Sequence, residues 1–192
     1  MAATKTAMLS LLLDAYRKRD RVGLVVFRDD RAVLAVPPTN SVDLAQRRLA
    51  NLPTGGRTPL ASGLLTAGDL LERHRAQRDN AVPLLVLVSD GRPTASAQGD
   101  PLAEAMGAAR RVGERLARWG GRALVVDTEQ GRTRLGLARE LAAAMQARYL
   151  HLHALRAAAG AGGALDRSVR LFGGLDPAPL GRPSASARAG HD

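Results

Sequence analysis

The chain has 192 residues, 45% of them hydrophobic and 24% charged, with a formal net charge of +10 and no cysteine. That length and apolar share suit one domain around one core, and the lack of cysteine removes disulfide frameworks, thiolate metal sites and thiol nucleophiles. Apolar runs such as Val82 to Val88 fall far short of the roughly 20 residues of a bilayer span, and the first residues show no secretory signal, so a soluble cytoplasmic protein is expected.

Residues 4–19 read as a helix, with Met8, Leu11, Leu12 and Ala15 at helical spacing and Arg17, Lys18 and Arg19 at the end where cations suit the helix dipole. Arg21 to Phe27 is a short apolar run that reads as a buried strand. Arg28-Asp-Asp30 reads as a turn and Ala32 to Val36 as a second strand, so the pair predicts a hairpin that Pro37 and Pro38 end. Ser41 is placed to cap a helix through Leu52. The loop Pro53-Thr-Gly-Gly-Arg-Thr-Pro59 follows, with Pro59 at the first position of a helix from Leu60 to about Arg78.

Val82 to Ser89 carries Val and Leu on both faces, the pattern of a central strand in a parallel sheet covered by helices. It stops at the loop Asp90-Gly-Arg-Pro93. Asp100 is placed to cap a helix to about Trp119, which Gly120-Gly121 ends. Ala123 to Val126 predicts another buried strand, residues 134–147 a helix, and Tyr149 to Leu152 a last strand. Alternating strands and helices predict an open, mostly parallel α/β sheet. The stretch from Gly173 is rich in Gly, Pro, Ser and Ala and is expected to be a disordered tail over 173–192.

Few arrangements of reactive residues stand out. Ser62 lies inside a predicted helix and lacks the first glycine of a nucleophile elbow. Thr54-Gly-Gly-Arg-Thr58 has no Gly-Lys-Ser/Thr ending and no strand leading into it, so it does not read as a phosphate loop. His151 and His153 share a strand face but lack a third ligand nearby, and an exposed strand face is the simpler account. Of the 28 basic residues only Lys5 and Lys18 are lysines, a bias that GC-rich coding produces. With 3% aromatic residues, Tyr16, Phe27, Trp119, Tyr149 and Phe172, there is no stacking platform for nucleic acid. Thr58, in the loop before a helix, and Asp90, at the carboxyl end of the apolar strand, belong to the region where open α/β sheets bind ligands. They are hard oxygen donors suited to magnesium, although a Ser-Asp-Gly turn and a capping threonine have ordinary structural uses too.

Pro53-Thr-Gly-Gly-Arg-Thr-Pro-Leu60, Pro83-Leu-Leu-Val-Leu-Val-Ser-Asp-Gly-Arg92, Val125-Val-Asp-Thr-Glu129, Arg134-Leu-Gly-Leu-Ala-Arg-Glu-Leu141 and Ala147-Arg-Tyr-Leu150 together resemble a von Willebrand factor type A domain. More narrowly they resemble the integrin-I-like domain of the magnesium chelatase D subunit and its cobaltochelatase relatives, over about residues 3 to 156. The resemblance implies a doubly wound, mostly parallel sheet with one antiparallel edge strand, occupying residues 1–172. It also implies a magnesium adhesion site built from an Asp-x-Ser-x-Ser motif, a threonine loop and an aspartate loop. Thr58 matches the threonine and Asp90 the aspartate. The Asp-x-Ser-x-Ser motif is absent, and with it the first strand, which the family places between the strands at 21–27 and 82–89. The chain as written is thus expected to be N-terminally truncated, or to recruit a strand from elsewhere, and its Mg2+ site to be incomplete.

The function implied is a non-catalytic protein-binding module of a chelatase-type complex that inserts a metal into a tetrapyrrole with ATP. It would couple an ATPase ring subunit to a large catalytic subunit, taking an acidic side chain of the partner as the last ligand of its metal. It would itself neither hydrolyse ATP nor insert the metal. Arg57 and Arg92 flank the two loops and are candidates to steer that acidic partner. Two alternatives stand beside this reading: a stand-alone interaction protein of the same fold, or a degenerate fragment, with no tetrapyrrole role. An enzyme using Asp90 or Asp127 with a metal is a third, against which the lack of a nucleophile or base constellation counts.

Overall fold

The structure is a computed structural model that describes residues 2–52, 55–77, 81–97, 99–130 and 135–154. The expected boundary at residue 172 and the expected tail over 173–192 lie outside the described residues.

Helix α1 (Ala2–Arg17) leads into the antiparallel hairpin of β1 (Val22–Arg28) and β2 (Arg31–Thr39). Arg28 pairs with Arg31, so Asp29 and Asp30 form the turn, Asp29 taking a φ of 59° that Asp tolerates better than most residues. Pro37 and Pro38 do not end β2. The strand lies at a sheet edge, where a missing N–H costs no ladder bond, and register shifts between Val22, Leu24 and Val25 absorb the irregularity. Helix α2 (Val42–Ala50) is capped by Ser41, whose Oγ accepts from the Leu44 N–H at 3.3 Å.

Helix α3 (Leu60–Ala76) begins at Leu60 as expected, but Pro59 occupies the N-cap, with φ −80° and ψ 69°, and is not the first helical residue. Three parallel strands follow, β3 (Leu84–Ser89), β4 (Arg122–Asp127) and β5 (Arg148–His151), with α4 (Pro101–Arg118) and α5 (Leu137–Ala144) as crossovers. Asp100 caps α4 by accepting from the Leu102 N–H at 3.0 Å. Helix α5 is shorter at both ends than its sequence pattern suggests. Gly136, at φ 72°, stands at its N-cap, and Gln146, at φ 53°, turns the chain out after it while the Ala147 N–H returns to the Ala142 carbonyl at 2.8 Å.

The strand order is β3-β4-β5 in one sheet and β1-β2 in another. The centre of the parallel sheet is therefore β4, where only Arg122 escapes full burial, and not β3 as its apolar pattern suggests. Strand β3 pairs with β4 alone, and Leu84 is 46% exposed. Among the described residues β1 and β3 each keep one edge without a strand partner, and the resemblance places the family's first strand between these two strands.

One face of the sheet carries the main core. Leu60 and Leu64 of α3, Ala105, Ala108, Ala109 and Val112 of α4 and Leu141 of α5 close over Leu87 and Val125, with Phe27 of the hairpin packed against the same cluster. A smaller cluster of Leu124, Val126 and Leu152 on the other face takes Leu11 from α1. Alanines and glycines let the helices approach closely: a Cβ on Gly113 of α4 would lie 2.4 Å from the Met145 carbonyl oxygen. The fold is thus α/β with helices on both faces, as expected. Among the described residues no helix is long and apolar enough to cross a membrane.

Candidate functional site

The carboxyl ends of β3 and β4 and the loop before α3 meet through a small set of hydrogen bonds. Thr58 donates its backbone N–H to Thr94 Oγ1 at 2.8 Å, and its carbonyl accepts from the N–H groups of Thr94 at 3.1 Å and Ala95 at 3.3 Å. Arg57 donates Nε–H to the Thr94 carbonyl at 3.2 Å, and its own carbonyl accepts from the Asp29 N–H at 2.8 Å. The threonine loop is therefore fixed to the aspartate loop on one side and to the hairpin turn on the other. Thr94, which ties the two loops together, was not singled out in the sequence; the only trace of it is a hydroxyl residue closing Asp90-Gly-Arg-Pro-Thr94.

The aspartate loop is a tight turn. The Ser89 hydroxyl accepts from the Gly91 N–H at 3.1 Å, and Asp90 Oδ1 accepts from the Arg92 N–H at 3.0 Å. Gly91 has a φ of 76°, and a Cβ there would stand 2.3 Å from the Ala138 nitrogen, so the loop is seated directly on the first turn of α5.

Behind the loop lies a buried acidic pair. Asp127, 1% exposed at the end of β4, accepts from the Glu129 N–H at 2.7 Å and from the Tyr149 hydroxyl at 2.5 Å. Glu129, 3% exposed, accepts from Arg92 Nη2 at 2.6 Å and from the N–H groups of Leu135 at 3.0 Å and Gly136 at 3.4 Å. These bonds hold its carboxyl below the ordinary value, the Leu135 amide contributing most and Arg92 next, with burial opposing. The Arg92 guanidinium is raised in turn, chiefly by its bond to Glu129. Both arginines expected to steer a partner thus also brace the loops from within.

Asp127 is fully engaged by these partners and has the environment of a structural carboxylate. His151 and His153 stack with ring centroids 5.2 Å apart, and His151 Nε2 lies 3.1 Å from the Glu129 carbonyl. Among the described residues no three of His, Cys, Asp and Glu gather where they could hold a metal ion. Ser62 lies within α3, as expected.

The fit to magnesium rests on donor chemistry. The Thr58 hydroxyl and Asp90 Oδ2 are hard oxygens with no hydrogen bond to a described residue, in two loops that share the Thr94 brace. They carry one negative charge between them, so waters and donors from outside these residues must complete a six-oxygen shell.

Residues 1–92 match the von Willebrand factor type A domain family. An uncharacterized protein of Mycobacterium tuberculosis is 45% identical over 82% of this chain and 24% of its own length. An uncharacterized protein of Methanocaldococcus jannaschii is 36% identical over 74% of this chain and 80% of its own. The magnesium-chelatase 67 kDa subunit of Chlorobaculum parvum is 37% identical over 79% of this chain and 26% of its own length. The chain thus spans about a quarter of the mycobacterial and chelatase relatives and most of the archaeal one. Among solved structures, the conserved hypothetical protein BatB from Bacteroides thetaiotaomicron superposes with a TM-score of 0.61 at 17% identity, covering 89% of this chain and 87% of that one, a likeness of fold alone. By the match over residues 1–92 the chain belongs to the von Willebrand factor type A domain family, and it is related to magnesium-chelatase subunits.

Proposed function

We propose that this protein is a non-catalytic binding module of a chelatase-type assembly, docking a partner through Mg2+ held at Thr58 and Asp90. The observation that carries the reading is the shared Thr94 brace, which fixes the threonine loop against the aspartate loop at the carboxyl end of the sheet. Thr58 would offer a neutral oxygen and Asp90 an anionic one. Magnesium, when bound, supplies a Lewis-acidic centre with open positions for an acidic side chain of the partner. The partners in this reading are the ATPase ring subunit and the large catalytic subunit of the assembly, and the kinship to magnesium-chelatase subunits supports them. Asp127 is spent on Tyr149 and Glu129, which leaves Asp90 as the acidic group for the ion and weighs against hydrolytic chemistry at this end of the sheet.

Pairwise binding to each purified chelatase subunit, with Mg2+ and with a chelator, tests this. Binding that needs Mg2+ and is lost in Asp90→Asn is expected; binding indifferent to both overturns it. A second reading is a stand-alone interaction protein of the same fold without a tetrapyrrole role, supported by the 36%-identical archaeal relative, 80% of whose length this chain spans and which carries no chelatase name. Failure to bind either chelatase subunit, with Mg2+ still bound by the isolated protein, favours that second reading.

A further inference from the structure

Arg92 stands two residues from Asp90, within reach of its field, on a loop that is offered as a cation site. An unrestrained guanidinium there would fold onto the Asp90 carboxylate and compete with any cation. In the structure it does something else. Its Nη2 is drawn back to Glu129 at 2.6 Å, although its side chain remains 44% exposed. Glu129 in turn is anchored by the N–H groups of Leu135 and Gly136, which lead into α5, and by its own N–H to Asp127, which Tyr149 holds. Gly91 abuts α5 at Ala138, so loop and helix are locked at two points.

We propose that Glu129 is a positioning residue that holds Arg92 away from Asp90 and so keeps the Asp90 carboxylate open to a divalent cation. This rests on the reading of Asp90 as the cation ligand. A role for Glu129 in fixing the approach to α5 needs only the Leu135 and Gly136 amides. The third bond, to a residue 37 positions away in the chain, is the one that such a role does not account for. It pairs the Arg92 guanidinium with Glu129, while Asp90 Oδ1 accepts from the Arg92 backbone N–H alone.

The test is calorimetric Mg2+ binding to the folded chain, with urea melts of every variant as a readout independent of metal. Glu129→Gln retains at Oε1 an acceptor for the Leu135 amide but removes the negative charge that draws the guanidinium back. Mg2+ binding is expected to weaken about fivefold, the scale of one partly exposed charge pair. Arg92→Gln alone is expected to stay within about twofold of the parent, and adding Arg92→Gln to Glu129→Gln to bring binding back to that level, because the competing cation is then gone. A double variant as weak as Glu129→Gln overturns the proposal, since it would make the loss one of local structure. Should Glu129→Gln not fold, Glu129→Asp serves in its place, its carboxylate one methylene short of the arginine. Asp90→Asn separates the two layers. If it leaves Mg2+ binding unchanged, the cation reading itself fails; if it abolishes binding while Glu129→Gln matches the parent, only the positioning role fails.

Discussion

Two glycines of α4 offer a paired test of how tightly the helices are packed. Ala in place of Gly inside a helix ordinarily stabilises by about 1 kcal/mol, because Gly loses more backbone freedom on folding. At Gly107 a Cβ would meet only Arg111 Nη1, at 3.8 Å, so Gly107→Ala is expected to show that gain in full. At Gly113 the same atom would lie 2.4 Å from the Met145 oxygen, 2.7 Å from its carbonyl carbon and 2.9 Å from its Cα. These are backbone atoms fixed by the C-terminal turn of α5, so contact can be relieved only by moving one helix about 1 Å from the other, a distance set by the ordinary van der Waals limit. Such overpacking costs about 3 kcal/mol at the upper end of its usual range, which leaves Gly113→Ala less stable by about 2 kcal/mol after the helix gain. At this chain length 1 kcal/mol moves Tm by roughly 2–4 °C, so the two variants should differ by close to 10 °C in a thermal melt. Gly113→Ala matching Gly107→Ala in both sign and size would refute the close α4–α5 approach.

Three further outcomes follow from the same geometry. Tyr149→Phe keeps the ring under Arg139, whose guanidinium carbon lies 4.9 Å from the ring centroid, and removes only the hydroxyl that satisfies buried Asp127; a loss of about 1–3 kcal/mol in urea unfolding is expected, and no loss would show that Asp127 needs no donor there. Gly91→Ala combines a left-handed backbone with a Cβ 2.3 Å from Ala138, whereas Gly136→Ala has the left-handed φ with nothing within 4 Å; the first should cost at least about 2 kcal/mol and the second about 1 kcal/mol, and equal costs would argue against the seating of the loop on α5. Glu129 is held below its unfolded value, so its contribution is fully present above about pH 4.3 and is lost as pH falls through the folded value; urea stability of Glu129→Gln should therefore fall less steeply with acid than that of the parent, and parallel acid limbs would contradict the Arg92 and Leu135 bonds.

Features decided by near neighbours in the chain are legible in its sequence, and those decided by distant ones are not. Ser41 and Asp100 were legible as caps because a cap is decided by residues two or three positions away. The hairpin turn at Asp29 and Asp30 and the loop glycines were legible for the same reason. The centre of the sheet is not legible: β3 and β4 are equally apolar in sequence, and which of them has neighbours on both sides is settled by pairing alone. The persistence of β2 through Pro37 and Pro38 depends on its lying at an edge, again a tertiary fact. At the site, Thr58 and Asp90 could be named from their loops. Thr94, Glu129 and Tyr149 could not be given roles, because their bonds run to residues 22 to 37 positions away. The Asp127-Thr-Glu129 segment stood out only through the family likeness, and its chemistry as a buried brace emerged from the coordinates.

The unpaired edges of β1 and β3 lead to the last expectation. In a parallel pair each strand turns alternate N–H groups toward its neighbour, so a strand with one partner has every second amide unpaired on the other side. Strand β4, between β3 and β5, should hold its amides from Ala123 to Asp127 until the domain unfolds as a whole. Strand β3 should show a different signature, alternate amides between Leu84 and Ser89 exchanging fast and the rest slowly. Burial alone would not produce that alternation, since both faces of β3 meet apolar side chains, Leu87 in one cluster and Val86 and Val88 against the other. Amide hydrogen exchange followed residue by residue distinguishes the cases. An alternating pattern in β3 beside uniform protection in β4 confirms that the edge is open. Uniform protection along both strands would mean that β3 has a second strand partner in solution, and the description of two separate sheets would have to be withdrawn.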